Sequence, residues 1–192
     1  MTHSHNKGFT LIELLIAITI FSLIMAGIYP IFTQITTFNQ ENYIRTALMD
    51  NLRAGMDRIT RELREATSVD LEDNGELTYI IFSHPSSDPE AVGGTESVKY
   101  ELSTSSYPIS YFPGGKEISR YVFNNTTNSW EGGNPITEPT IYSLKFLRVG
   151  QIIKIEIISK VQLRQKQEAQ DYIYIANVAV RNPLLSTQEP EE

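Results

Sequence analysis

Lys7-Gly8-Phe9-Thr10-Leu11-Ile12-Glu13 opens the one stretch of this sequence whose residue types and spacing set up chemistry. A basic residue and a glycine end a short polar leader, and a carboxylate follows before an apolar run. From Leu14 to Phe32 about 19 residues carry no charge, close to the roughly 20 that span the hydrocarbon core of a bilayer. A carboxylate in such a segment costs roughly 2.5–3.5 kcal/mol or more, so Glu13 points to a function. A charge in apolar surroundings is tolerable when it is paired, and Glu13 therefore calls for a cation. No catalytic constellation accompanies it. The chain holds no Gly-x-Ser-x-Gly, no phosphate-cradling glycine loop and no His-Glu-x-x-His. Outside the leader the only histidine is His84, beside Pro85 in an expected loop, which argues against a histidine triad or metal centre. The expectation is a chain that is no enzyme, with no cofactor and no metal.

The element that positions Glu13 is a long helix. From Phe9 to about Ala66 it runs roughly 58 residues, on the order of 87 Å. Gly27 and Pro30 fall near the outer end of the apolar part, where a missing N–H loosens or kinks a helix. Beyond Pro30 the all-round apolar pattern becomes one-sided. Ile44, Leu48, Leu52, Met56, Ile59 and Leu63 recur at spacings of four and three, a helical stripe that lies along a folded domain. Arg45, Asp50, Arg53, Asp57, Arg58, Arg61, Glu62, Arg64 and Glu65 lie between them. Several form opposite-sign pairs at i,i+3 or i,i+4, and a solvated face accounts for most.

The remainder reads as β-structure. Residues 77–83, 97–102 and 119–124 are short runs of β-branched and aromatic residues. Residues 140–149 and 151–160 form a hairpin about Gly150, with Ile153, Ile155 and Ile157 alternating with Lys154 and Glu156. Residues 172–180 make a last strand. Stretches 85–94, 103–115 and 125–139 are rich in Pro, Gly, Ser and Asn and read as loops, the last holding Trp130, expected to cover a core edge. Asp70 to Glu76 reads as a turn into a strand, since its spacing does not match a calcium loop; Asp88, Glu90 and Glu96 likewise carry no metal expectation. Asn124 and Asn125 satisfy the glycosylation triplet, and 186–192 is an acidic tail expected to be disordered.

The 192 residues leave room for one domain plus an anchor. The net charge is −7, passing to −8 if Lys7 leaves with the leader, which argues against nucleic-acid binding by bulk electrostatics. With no cysteine, the domain holds together by packing alone. His3 and His5 lie in the leader and carry no metal reading.

Lys7 to Glu13, followed by Leu14-Leu15-Ile16-Ala17, closely resembles the N-terminal signature of type IV pilins and pseudopilins. A secretory signal peptide or plain anchor fits less well. The carboxylate interrupts its apolar core, and the small residues Ala26-Gly27 run on into more apolar sequence. The resemblance implies that a membrane peptidase cuts between Gly8 and Phe9 on the cytoplasmic side and N-methylates Phe9. It implies that Glu13 pairs with the Phe9 amine of a neighbouring subunit and sets axial register. It also implies that Gly27 and Pro30 mark a place of helix weakening, which an ordinary kink would match equally. Expected partners are other pilin or pseudopilin subunits, the prepilin peptidase and an inner-membrane assembly platform.

The arginine-rich residues 51–66 and the ending Val178-Ala179-Val180-Arg181-Asn182 resemble minor pilins and the J-type minor pseudopilins of type II secretion. The resulting expectation is an α+β, pilin-like fold, with a long N-terminal helix, amphipathic in its outer half, on a small antiparallel β-sheet. Its parts are a leader over 1–8, a transmembrane and assembly helix over 9–32, an amphipathic continuation over 33–66, a β-rich domain over 67–185 and the tail. The chain would be a single-pass inner-membrane protein with its N-terminus in the cytoplasm and its domain periplasmic or extracellular, then part of a filament. A major pilin, a DNA-uptake pseudopilin and a signal-anchored binding protein that never polymerises are the alternatives.

Overall fold

The computed structural model describes residues 9–71, 76–86, 94–109, 111–163 and 168–180. The leader with His3, His5, Lys7 and Gly8, the turn 72–75, Asp88, Glu90, Arg181, Asn182 and the acidic tail lie outside the described residues. A helix, α1, covers Leu11–Arg64 and is followed by eleven strands. Contacts divide the chain into two compact units, with the boundary after Thr46.

The first unit is helical throughout its described residues from Leu11 onward, and α1 passes through Pro30 unbroken. Its large apolar side chains, from Leu11 through Phe38, are exposed. The serine and threonine hydroxyls among them donate to carbonyls three or four residues back. Ser22 Oγ reaches the Ile18 carbonyl at 2.8 Å and Thr33 Oγ1 the Pro30 carbonyl at 2.9 Å. Such bonding lets a hydroxyl sit in apolar surroundings without an unmet donor.

The second unit begins at Ala47 and contains the outer end of α1 and all the strands. β1 (Ser68–Asp70), β3 (Tyr79–Pro85), β4 (Thr95–Leu102), β7 (Ile118–Asn124) and β8 (Ser129–Pro135) form a five-stranded sheet in the order β1-β3-β4-β7-β8. β2 (Glu76–Leu77), β9 (Ile141–Val149), β10 (Ile152–Val161) and β11 (Gln170–Ala179) form a second, ordered β11-β10-β9-β2. β5 (Tyr107–Ile109) and β6 (Phe112–Gly115) pair as a small third sheet. Every pairing is antiparallel. The fold is α+β, a long N-terminal helix on antiparallel sheets, consistent with a pilin-like architecture.

The helical stripe is buried along its length. Leu48, Leu52, Met56, Ile59 and Leu63 are at most 2% exposed, and each contributes roughly 1.5–3 kcal/mol by leaving water. Their counterparts are Ile80, Phe82, Val98, Tyr100 and Ile118 from one sheet and Leu144, Phe146, Ile153, Ile155 and Ile157 from the other. The connection after β8 pins the helix. Asn51 Nδ2 donates to Thr140 Oγ1 at 2.7 Å, and the Glu138 N–H donates to Asn51 Oδ1 at 2.9 Å. Ile118 N–H donates to Thr137 Oγ1 at 2.9 Å, so the same connection is tied to β7.

Three expectations need correction. Trp130 does not lie in a loop but in β8, its ring edge-on to Phe123 at 5.2 Å between centroids. Residues 103–115 contain the β5–β6 pair rather than loop alone. His84 is not in a loop either. It is the penultimate residue of β3, opposite Glu96 on β4, and Pro85 only ends the strand. The β9–β10 hairpin stands as read, with Gly150 at φ 61°, a left-handed geometry that suits glycine.

Candidate functional site

Glu13 sits three residues into α1, and Thr10 immediately precedes the helix. The Thr10 N–H donates to Glu13 Oε2 at 2.9 Å, and Thr10 Oγ1 donates to the same oxygen at 3.0 Å. In return the Glu13 N–H donates to Thr10 Oγ1 at 3.3 Å. This is a capping box: each side chain satisfies a backbone donor that the helix start leaves without a partner. A negative charge in the first turn also suits the positive end of the helix dipole. The Thr10-x-x-Glu13 spacing carries this signal in the sequence, although a reading of Glu13 for a partner outside the chain passes over it.

Phe9 precedes the cap and is 91% exposed. Gly8, its neighbour across the expected cut, lies outside the described residues. Downstream, Thr19 and Ser22 are the only polar side chains between Leu14 and Ile28, and both bond to the helix's own carbonyls. Gly27 has open space where a side chain would stand. Pro30 removes one backbone donor, so the carbonyl one turn earlier, at Ala26, lacks its usual helix partner.

The expected solvated charges on the outer half of α1 are mostly that. Asp50, Arg53, Asp57, Arg58, Arg61, Arg64 and Glu65 are exposed. Glu62 differs. Its Oε1 meets Arg58 Nε at 3.5 Å, while its Oε2 accepts from Arg120 Nε on β7 at 3.0 Å. Arg120 Nη2 also donates to Glu96 Oε1 on β4 at 2.6 Å, and His84 Nε2 lies 3.2 Å from that oxygen. Burial pulls the Arg120 guanidinium down, but hydrogen bonds to Glu62 and Glu96 outweigh it and hold the proton more firmly than usual. Burial, and next the charge of Glu62, push the Tyr100 hydroxyl up, so this fully buried phenol stays neutral. The cluster is a mixed ion-pair network joining helix to sheet. Arg120 occupies the space between the two carboxylates, and among the described residues no group of His, Asp and Glu side chains is disposed to hold a metal.

Residues 3–29 match the family described as the prokaryotic N-terminal methylation motif. No curated protein and no solved structure matches the chain. The matched segment takes in Gly8, Phe9, Thr10, Glu13 and Gly27. The match supports a type IV pilin-like prepilin signal and a protein of pilin or pseudopilin type, which implies processing by a prepilin peptidase and assembly with pilin subunits. α1 is long and apolar enough to cross a membrane, which suits an inner-membrane anchor.

Proposed function

We propose that this chain is a minor pilin or pseudopilin, a structural subunit of a type IV pilus or type II secretion filament. It acts by bundling its N-terminal helix with those of neighbouring subunits. The observation that carries the reading is Glu13, a single carboxylate at the head of the otherwise uncharged, exposed apolar span of α1 and preceded by Lys7-Gly8-Phe9.

The peptidase cuts between Gly8 and Phe9 on the cytoplasmic side and N-methylates Phe9, leaving a terminal amine that is still a cation. Residues 9–32 span the membrane, residues 33–66 continue the helix outside it, and residues 67–185 form the periplasmic or extracellular domain. Thr10 holds the Glu13 carboxylate satisfied while a subunit waits in the bilayer. When the Phe9 ammonium of a neighbour arrives, it offers the carboxylate a partner of opposite full charge, which the uncharged Thr10 donors cannot supply. One pairing distance then fixes the axial offset between subunits. Gly27 and the donor-free Pro30 give the span a place to loosen as it leaves the membrane. A signal-anchored protein that never polymerises would use Glu13 only as a helix cap and would have no need of a neighbour's cation.

Intact mass and N-terminal sequencing of membrane-extracted protein, with and without the host's prepilin peptidase, test the proposal. A chain beginning at N-methylated Phe9 only when the peptidase is present is the expected result. An intact Met1 terminus, or a cut near Ala26, would leave an ordinary anchored or secreted domain.

A further inference from the structure

Four strands lie at the edges of the two larger sheets, and three of them are blunted. β1 is three residues long and β2 two. β8 carries a register shift opposite Arg120 and Tyr121, glycines at φ 101° and 67°, and Pro135. Short length, bulges, glycine and proline keep an edge from recruiting another strand. β11 has none of these. It pairs with β10 over ten residues, Ile152↔Ala179 to Val161↔Gln170, without a shift, and contains no Pro, Gly or Lys.

The direction of its free backbone groups follows from one hydrogen bond. The Val180 N–H donates to the Gln151 carbonyl at 3.2 Å, beside the β10 side of the ladder. Strand alternation then aims the even-numbered residues at β10 and turns the N–H and C=O of Asp171, Ile173, Ile175, Asn177 and Ala179 away from it. Among the described residues no strand pairs with that side. The layer beneath is unfinished at the same place. Ile155, Ile157 and Ser159 on β10 are 0% exposed, yet their partners Ala176, Tyr174 and Tyr172 are only half-buried. On the outer face Ile173 and Ile175 stand 58% and 49% exposed.

We propose that β11 is a docking edge that takes an extended strand from a different polypeptide. That strand has apolar residues at alternate positions, to cover Tyr172 and Tyr174, and a Lys or Arg where it meets Asp171, the one charge on β11. A second copy of this chain is a poor occupant. Its other edges are blunted, and two β11 edges pairing antiparallel are related by a two-fold normal to the sheet. That operation reverses a helix lying on the sheet, so two copies could not both enter one membrane by their helix N-termini; this step alone rests on the membrane reading above. Strand addition draws its affinity from main-chain hydrogen bonds and its specificity from alternate side chains.

The test is amide hydrogen exchange on the full-length protein in detergent, with a synthetic acetylated peptide of sequence KVTVKVTVK as probe. We expect the probe to slow exchange over 170–179 roughly tenfold, while α1 beyond Ala47 is unchanged. Ile175→Pro deletes an outward N–H without touching the β10 ladder and should abolish the effect; Ile175→Thr keeps that N–H and should preserve it. Should the proline variant lose its fold, Ile175→Lys, a charged blunting of the edge, replaces it. The proposal is overturned by no protection by the probe, by equal protection in Ile175→Pro, or by a dimer of copies that Ile175→Pro dissolves. Protection without probe that vanishes when the chain is ended at Val180 would assign the edge to the chain's own later residues and overturn it equally. Cleavage at Gly8-Phe9 is read separately by mass, so failure here leaves the filament reading untouched.

Discussion

Glu62 on the helix accepts a hydrogen bond from Arg120 on β7 at 3.0 Å, across 58 residues of sequence. The two side chains are 15% and 16% exposed, so water screens them only in part. Arg120→Ala removes the cation shared by Glu62 and Glu96 and leaves Glu62 only its contact with Arg58, and we expect a loss of about 2–4 kcal/mol. Arg120→Lys should recover only part of it, because an ammonium cannot serve both carboxylates in one plane. Thermal unfolding of both variants in detergent checks the order.

The Thr10–Glu13 cap separates local helix order from assembly. Thr10→Ala should fray the first turn at a cost of about 0.5–2 kcal/mol, seen as faster amide exchange near Glu13, while subunits still enter filaments. Glu13→Ala should stop or misregister incorporation with the β-rich domain still folded. Filament incorporation scored beside domain unfolding distinguishes the two. Equal incorporation of Glu13→Ala and the parent chain would remove Glu13 from the assembly mechanism.

Gly115 ends β6, and a Cβ placed on it would overlap the Pro139 carbonyl, so any side chain there collides with backbone. Gly115→Ala should cost about 1–3 kcal/mol by displacing the connection that holds Asn51. A lower melting temperature, with faster exchange around Thr140, is the expected signature. Gly27→Ala, with open space at its Cβ, is the matched control.

Glu131, near the β7–β8 turn, accepts from Thr127 Oγ1 at 2.7 Å and Asn124 Nδ2 at 2.9 Å. These bonds, Thr127's first, hold its carboxyl below the ordinary 4.5. The unfolded chain therefore takes up the proton first as pH falls. The stabilisation is fully present above about 4.5 and is lost as pH drops through the lower folded value. Proton NMR of the Thr127 and Asn124 groups should report a transition below 4.5, absent in Glu131→Gln.

Much of the architecture is legible in the sequence because periodicity records burial directly. The stripe from Ile44 to Leu63 is buried at every position, and β10 alternates from Ile153 to Val161 as an amphipathic strand should. What escapes is held by pairing rather than by residue preference. Ser129 to Pro135 has the composition of a loop, and β7 alone makes it a strand. Glu62 reads as one more solvated charge because its partner is remote in sequence; His84 reads as loop because Pro85 masks the strand's last turn of the ladder. At the candidate site the apolar span and Glu13 are legible, and so is the Thr10 cap once intrachain partners are sought. No spacing rule announces an open edge such as β11, since openness depends on what the neighbouring strands leave unpaired.

The internal hydrogen bonds of Thr19 and Ser22 have a consequence for recognition. By turning their hydroxyls back onto the helix, these residues leave the stretch from Leu14 to Ile28 chemically mute toward whatever surrounds it. On the filament reading proposed above, a sliding neighbour would meet a surface with one distinctive mark, Glu13, and no decoy at which to halt. The contrast between that mark and its silent background, more than the strength of any single contact, would then make one alignment of two such helices distinguishable from all the others.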